Sequence, residues 1–275
     1  LALKARGFDG RIVGLGRRLV TVERAKATGA VDVATDQPDR CVPQSDLVVL
    51  ALPLSGFATV FQQIAPHDHD QLIISDVGST KLEPVTTARK YLPQPNRFCG
   101  AHPMAGKETQ GPEHADATIF QGRPYCIVPS PDASTKSVKS IMDLATAIGA
   151  RPYFIDVAEH DSFVAAVSHL PFVVSAALIG CTSKSPQWGD ISQLASSGFR
   201  DVSRLASGDS IMHRDVCLTN KESVSYWIDE LTAEGLVHVS TLGDDWYEYR
   251  SRQNLLVGRK YKKTYQLAQQ KNHNF

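Results

Sequence analysis

The sequence predicts an α/β domain wound around a parallel β-sheet, followed by a region made only of helices. Three observations lead there. Short apolar runs alternate with helical segments up to about residue 157. Several of these runs are continuously apolar, as strands covered on both faces require. After Ala158 the strand signals stop. The expected division is therefore an α/β domain over residues 1–157 and a helical domain over 158–275.

In chain order, "LALKARGFDG" reads as a helix, with Leu1, Leu3 and Phe8 able to face a core and Gly7 and Gly10 marking its end. A chain that opens inside a helix is expected to have lost a segment upstream. "RIVGL" is a short strand, and a helix from Val20 to Thr28 is closed by Gly29. Asp46 to Leu54 is an apolar strand. Leu52 and Pro53 at its end are candidate cofactor contacts, because ligands of such sheets bind at the strands' C-terminal ends. Phe57 to Ile64 forms a helix, Leu72 to Asp76 a strand, and Lys81 to Tyr91 a helix with Pro93 beyond it. "RFCGAHP", "PYCIVP" and "RPYFID" are further strands, and Ser134 to Ile148 is a helix stopped by Gly149. Helices are then expected over Ala158–Cys181, Gln193–Leu205, Ile211–Glu234 and Leu242–Arg259, before a polar, basic end that frays.

The pair Gly14-Leu15-Gly16 invites comparison with the glycine loop of dinucleotide-binding domains. That loop reads G-x-G-x-x-G and joins the first strand to a helix. Here Leu19 stands in place of the third glycine and a helix already precedes the strand. Gly16 is therefore read as the end of the second strand of a Rossmann-like unit. An acidic residue there holds the ribose 2′-hydroxyl of NAD, whereas arginine accommodates the 2′-phosphate of NADP. The chain has Gly16 followed by Arg17 and Arg18, two guanidiniums suited to forked pairing with a phosphate. NADP is the expected cofactor, in preference to NAD.

Three stretches carry chemistry. In "SDVGSTK", Asp76, Gly78 and Ser79 stand where a strand gives way to a helix, a pattern that is also ordinary helix-entry punctuation. "GAHPMAGKETQG" packs three glycines, His102 and Glu108 into one loop after a strand. "VSHLPFVVSAAL" puts His169 and Pro171 inside an apolar helix, where proline kinks the backbone and frees a carbonyl. His169 alone reads as a satisfied core histidine.

Together these stretches resemble the prephenate/arogenate dehydrogenase family of tyrosine biosynthesis. The family patterns D-x-G-S-x-K, G-x-H-P-M-A-G-x-E-x-x-G, S-H-L-P and G-F-x-D-x-[ST]-R match Asp76–Lys81, Gly100–Gly111, Ser168–Pro171 and Gly198–Arg204 in order. The resemblance implies a Rossmann-like dinucleotide-binding domain followed by an all-helical dimerisation domain. It also implies that a first strand and glycine turn, which precede "LAL" in the family, are missing here. The implied reaction is oxidative decarboxylation of prephenate to 4-hydroxyphenylpyruvate, or of arogenate to tyrosine, with hydride passing to NAD(P)+.

The resemblance assigns roles residue by residue. His102 matches the catalytic histidine, a base for the substrate hydroxyl. Ser79 matches a serine that bonds near that hydroxyl and orients the histidine. Arg204 matches the arginine gripping the ring carboxylate. Glu108 matches an acidic residue near the substrate side chain, and His169 a histidine beside the site. Gly16, Arg17, Arg18, Leu52, Pro53 and Asp76 fall among the implied cofactor contacts. Phe172 stands where many prephenate-using members have histidine, and His213 where some have an aromatic residue, which leaves prephenate against arogenate open.

The totals agree with an ordinary enzyme. The 275 residues carry 29 basic and 29 acidic side chains, giving no reason to expect a nucleic acid or an anionic membrane as partner. The run from Phe163 to Cys181, interrupted by His169 and Pro171, falls short of the ~20 residues that span a bilayer. Five scattered cysteines without a C-x-x-C pair point to a reducing, cytoplasmic setting and to no metal site. "HDHD", His67 to Asp70, lacks a third ligand nearby. Two rival readings stand beside the main one. A β-hydroxyacid dehydrogenase-like enzyme would need a catalytic lysine in a glycine-rich helix start, a setting Lys184 and Lys221 lack. A non-catalytic dimeric remnant would explain the missing glycine turn.

Overall fold

The computed structural model describes residues 1–107, 109 and 111–235. Glu108 and the expected helix Leu242–Arg259 lie outside the described residues.

The α/β part runs α1 (Ala2–Ala5), β1 (Val13–Leu15), α2 (Leu19–Ala27), β2 (Val33–Thr35), α3 (Pro38–Cys41), β3 (Leu47–Leu50), α4 (Phe57–Ile64), β4 (Ile73–Asp76), α5 (Leu82–Tyr91), β5 (Phe98–Pro103), β6 (Pro124–Val128), α6 (Thr135–Ala147) and β7 (Arg151–Phe154). β1 and β2 form a parallel pair, and β3-β4-β5-β6-β7 form a second sheet in that order. The three residues of β2 are too few for a periodic signal, and the sequence reading missed them.

The expected parallel sheet is in fact mixed, because β6 runs antiparallel to β5. Parallel neighbours need a long crossover, usually a helix, to carry the chain back across the sheet. Between β5 and β6 the described chain has only the short 3-10 turn Pro112–His114. α6 supplies the crossover between β6 and β7, and that pair is parallel.

Side-chain alternation along the strands divides the core into two layers. Leu72, Ile74 and Phe98 face one layer with Phe57 and Phe61 of α4. There Phe61 packs edge-on to both Phe57 and Phe98. Ile73, Cys99 and Ala101 face the other with Ile141 and Ala145 of α6. β4 is wholly buried. β3 is less so: Val49 is 38 % exposed, because among the described residues β3 has a strand partner only in β4. Phe8, expected to face the core, is 47 % exposed.

The helical part begins with α7 (Val157–Val164), a π-helical turn (Ala165–His169) and α8 (Leu170–Thr182). These form one 26-residue helix, long and apolar enough to cross a membrane by length and composition. This corrects the expectation that no run reaches that length. His169 and Pro171 interrupt the apolar run, but the helix expected over 158–181 continues through both. A widened turn precedes Pro171, which then falls in the first turn of α8, where its missing N–H is tolerated.

α9 (Trp188–Gln193) and α10 (Ser197–Ser203) replace the single helix expected over 193–205, and the 3-10 turn Arg204–Ser207 follows. α11 (Ser210–Thr219) and α12 (Lys221–Gly235) replace the helix expected over 211–234. Asn220 separates them, its side chain drawn to the carbonyl of Asp161.

Leu1–Trp227 forms one compact unit. Phe172 of α8 and Val216 of α11 enter the α4–α5 core layer, so packing is continuous across residue 157.

Candidate active site

The site is built where β4 and β5 end and where α7 reaches His102 and the start of α5. Asp76 closes β4 with no exposed surface. Its Oδ1 accepts the Ala101 N–H at 3.1 Å and its Oδ2 the Gly78 N–H at 2.8 Å. Lys81, equally buried, donates its Nζ to Asp76 and to the Ala101 carbonyl at 2.7 Å. Burial pushes the Asp76 carboxyl up and the Lys81 ammonium down, and each partner's charge opposes that shift. Two glycines of the motifs make this packing possible. A Cβ on Gly100 would lie 3.2 Å from the Lys81 stem and 3.1 Å from the Val128 carbonyl. One on Gly78 would stand 2.9 Å from Asp76 Oδ2. The enclosed Asp76 carboxylate holds the strand-to-helix turn.

His102 lies within β5, opposite Cys126 of β6, and not in a loop after the strand. Its Nδ1 is 3.0 Å from His160 Nε2, and His160 Nδ1 is 2.7 Å from Asp161 Oδ1. Asp161 also accepts the Lys81 N–H at 2.7 Å and the Leu82 N–H at 2.9 Å, so α7 caps the start of α5. Burial first, then the Lys81 charge and the neighbouring His160 and His169, hold the His102 pKa well below its ordinary value. A neutral imidazole is the form that can accept a proton.

His169 closes the π-helical turn, fully buried, with Nδ1 3.3 Å from Asn220 Nδ2. Its Nε2 has no hydrogen-bond partner. Burial is the main cause lowering its pKa to about 4. Phe172, one turn on, stacks on His213 with ring centroids 4.1 Å apart. Ser79 sits half-buried between Gly78 and the buried Thr80, whose hydroxyl meets that of Thr219 at 2.9 Å.

The remaining expected residues lie elsewhere. Gly16 follows β1, and Arg17 and Arg18 come after it, exposed, ahead of α2. Two cations with no carboxylate between them at the C-terminal end of a parallel strand fit a phosphate-bearing cofactor. Leu52 and Pro53 lie in the turn after β3. Asp215 of α11 accepts the Ser55 N–H there at 3.0 Å and pairs with Arg214 at 2.6 Å. Burial pushes the Asp215 carboxyl up, but the Ser55 and Arg214 bonds outweigh it and hold the carboxyl low. Arg204 is exposed at the start of its turn, which is tied to α8 by the Ala206 N–H donating to Ser175 Oγ at 2.8 Å. Within "HDHD", Asp68 pairs with Arg97 at 3.1 Å and His69 Nε2 lies 3.1 Å from the Ser45 carbonyl.

Sequence reasoning missed His160, Asp161, Asn220 and Asp215, and gave Lys81 no role. The signal for the first two was present: a His-Asp pair inside an apolar helix cannot be buried without partners.

A strand-end histidine beside a buried charged pair, on a mixed sheet flanked by helices, fits a dinucleotide-binding α/β protein. Residues 1–154 match the family described as "Prephenate dehydrogenase, nucleotide-binding domain", and residues 156–242 match "Prephenate dehydrogenase, dimerization domain". The chain belongs to the prephenate dehydrogenase family. It is 30% identical over 238 residues to the prephenate dehydrogenase of Bacillus subtilis (strain 168), covering 85% of this chain and 64% of that one. The prephenate dehydrogenase of A. aeolicus, solved in complex with hydroxyphenyl propionate and NAD+, superposes with a TM-score of 0.82 at 26% identity, covering 98% of this chain and 92% of that one. The Synechocystis arogenate dehydrogenase gives a TM-score of 0.68 at 26% identity, with 99% and 92% covered.

Proposed function

We propose that the protein catalyses the oxidative decarboxylation of prephenate or arogenate in tyrosine biosynthesis, with NADP preferred over NAD. The observation that carries this reading is His102: neutral, at the end of a central strand, and held through Nδ1 so that Nε2 is the nitrogen left for a substrate hydroxyl. The nicotinamide, when bound, accepts the hydride from the carbon bearing that hydroxyl. His102 takes the hydroxyl proton as the hydride leaves, Ser79 bonds the same region, and Arg204 grips the ring carboxylate until it departs as carbon dioxide. Glu108 is assigned to the substrate's side-chain end and His169 to the edge of the site. Leu52 and Pro53 line the cofactor, and Gly16 leaves room for Arg17 and Arg18 to bind the 2′-phosphate.

The chain is proposed to divide into a cofactor domain over 1–157 and a helical domain over 158–275 through which two copies dimerise. Exposed apolar residues in this part, Leu194 at 85 % and Val167 at 72 % among them, support that use. A cytoplasmic location, and the absence of metal, nucleic-acid and membrane partners, belong to the same proposal. The test is a steady-state assay of the full-length gene product, following nicotinamide reduction with prephenate and with arogenate, each against NADP and NAD. Turnover with NADP dominant is the expected result and names the substrate. A folded protein inactive with every pair would overturn the reading in favour of a non-catalytic remnant.

A further inference from the structure

His160 and Asp161 form a buried chain behind His102, and nothing in the reaction as proposed above requires them. Both side chains lie on α7, and His160 is 58 residues beyond His102 in the sequence. His160 is 1 % exposed and Asp161 5 %. The contacts run in one direction. Asp161 accepts two backbone N–H groups at the start of α5 and also meets His160 Nδ1. An ionised carboxylate can only accept, so His160 carries its proton on Nδ1. With its one proton on Nδ1, an uncharged imidazole at His160 would present a bare Nε2 to His102 Nδ1. That nitrogen can only accept, so His102 in turn carries its proton on Nδ1. Its Nε2 is left with the lone pair.

We propose that His160, fixed by Asp161, is a positioning residue that selects the base-competent tautomer of His102. The proposal rests on the reading of His102 as the base. Without the selection, imidazole distributes between two tautomers, and the one protonated at Nε2 cannot accept a proton from substrate there. When His102 takes up the substrate proton, its Nδ1–H keeps the bond to His160, so the imidazolium forms with its hydrogen-bond partner already in place. The same carboxylate that orients His160 caps α5, the helix entered from the Asp76–Lys81 turn. Base, relay and buried ion pair thus share one frame.

The test combines two variants with one spectroscopic measurement on the full-length protein. His160→Leu removes the acceptor; His160→Gln keeps a carbonyl oxygen within reach of His102 Nδ1. The expected results are a kcat lowered ~100-fold in His160→Leu, with both KM values within about threefold, and recovery of at least ~10-fold in His160→Gln. ¹⁵N histidine resonances should place the His102 proton on Nδ1 in the free wild-type protein. A His160→Leu enzyme with kcat within about threefold of wild type would overturn the proposal. So would a folded His160→Gln no faster than folded His160→Leu, or a His102 proton found on Nε2. The tautomer is read without turnover. A wild-type protein inactive on both substrates would therefore refute the base reading, while the resonances still decide the relay. If His160→Leu does not fold, the wild-type tautomer decides alone.

Discussion

Replacing Lys81 by Met removes the cation from a site with no exposed surface. Methionine keeps most of the stem that passes over Gly100, so little packing is lost. What remains is the Asp76 carboxylate, still accepting the Gly78 and Ala101 N–H groups but with no positive partner. Breaking a buried pair from one side costs ~3–5 kcal/mol, because an uncompensated charge stays buried. Against a total stability of ~5–15 kcal/mol the variant still folds, with its unfolded fraction raised by roughly two to four orders of magnitude. Pairing Lys81→Met with Asp76→Asn removes both charges. The new amide has one oxygen for the two backbone N–H groups that Asp76 satisfies, so the double variant should recover only part of the loss. Urea unfolding followed by tryptophan fluorescence measures all three. A single variant within about 1 kcal/mol of wild type, or a double variant no more stable than the single, would refute the reasoning. The double variant also tests the site. The Lys81 charge is the second cause, after burial, that lowers the His102 pKa. Activity in kcat/KM is lost as pH falls through that pKa, so removing the charge should move the acid limb upward, toward ~6.5 but not past it.

The other predictions concern individual side chains. His102→Asn should lower kcat by ~10²–10⁴-fold with cofactor affinity unchanged, measured by single-turnover kinetics and cofactor titration; a variant keeping most of its turnover removes His102 from the chemistry. Arg17→Ala with Arg18→Ala should raise the Kd for NADP while leaving that for NAD within about twofold, and equal effects on both would make the arginines mere surface charge. Arg204→Ala should chiefly raise the substrate KM, and an unchanged KM would end its carboxylate role. His169 titrates at about 4 in the folded protein and near ~6.5 when unfolded, so between these values only the unfolded state takes up the proton. Stability therefore falls as pH drops through that window, by about 1.4 kcal/mol per unit. His169→Asn should lose about 2 kcal/mol less than wild type between pH 7 and pH 5, and identical urea midpoint shifts would refute the assignment.

Much of the architecture was legible because its signals are local. The continuous apolar run of β4, the periodic helix of α4 and the glycine stops at Gly29 and Gly149 can be read from neighbours in sequence, since strand and helix periods act over a few residues. The motifs around Asp76 and His102 were legible for the same reason. The direction of β6, the burial of β3 and the widened turn that carries the expected helix through Pro171 were not. Each depends on which segments lie alongside, or on a whole turn widening to absorb one residue.

The site divides in the same way. The sequence determined that an aspartate and a histidine stand at or just after buried strands and a lysine at a helix start. Only the tertiary structure decided that Asp76 is enclosed by Lys81, that Asp215 reaches across to hold the turn after β3, and that α7 delivers His160 and Asp161 to the back of His102. Pairing over such separations is set by packing of whole elements. Once those elements dock, a buried polar group must find its partner wherever in the chain that partner lies.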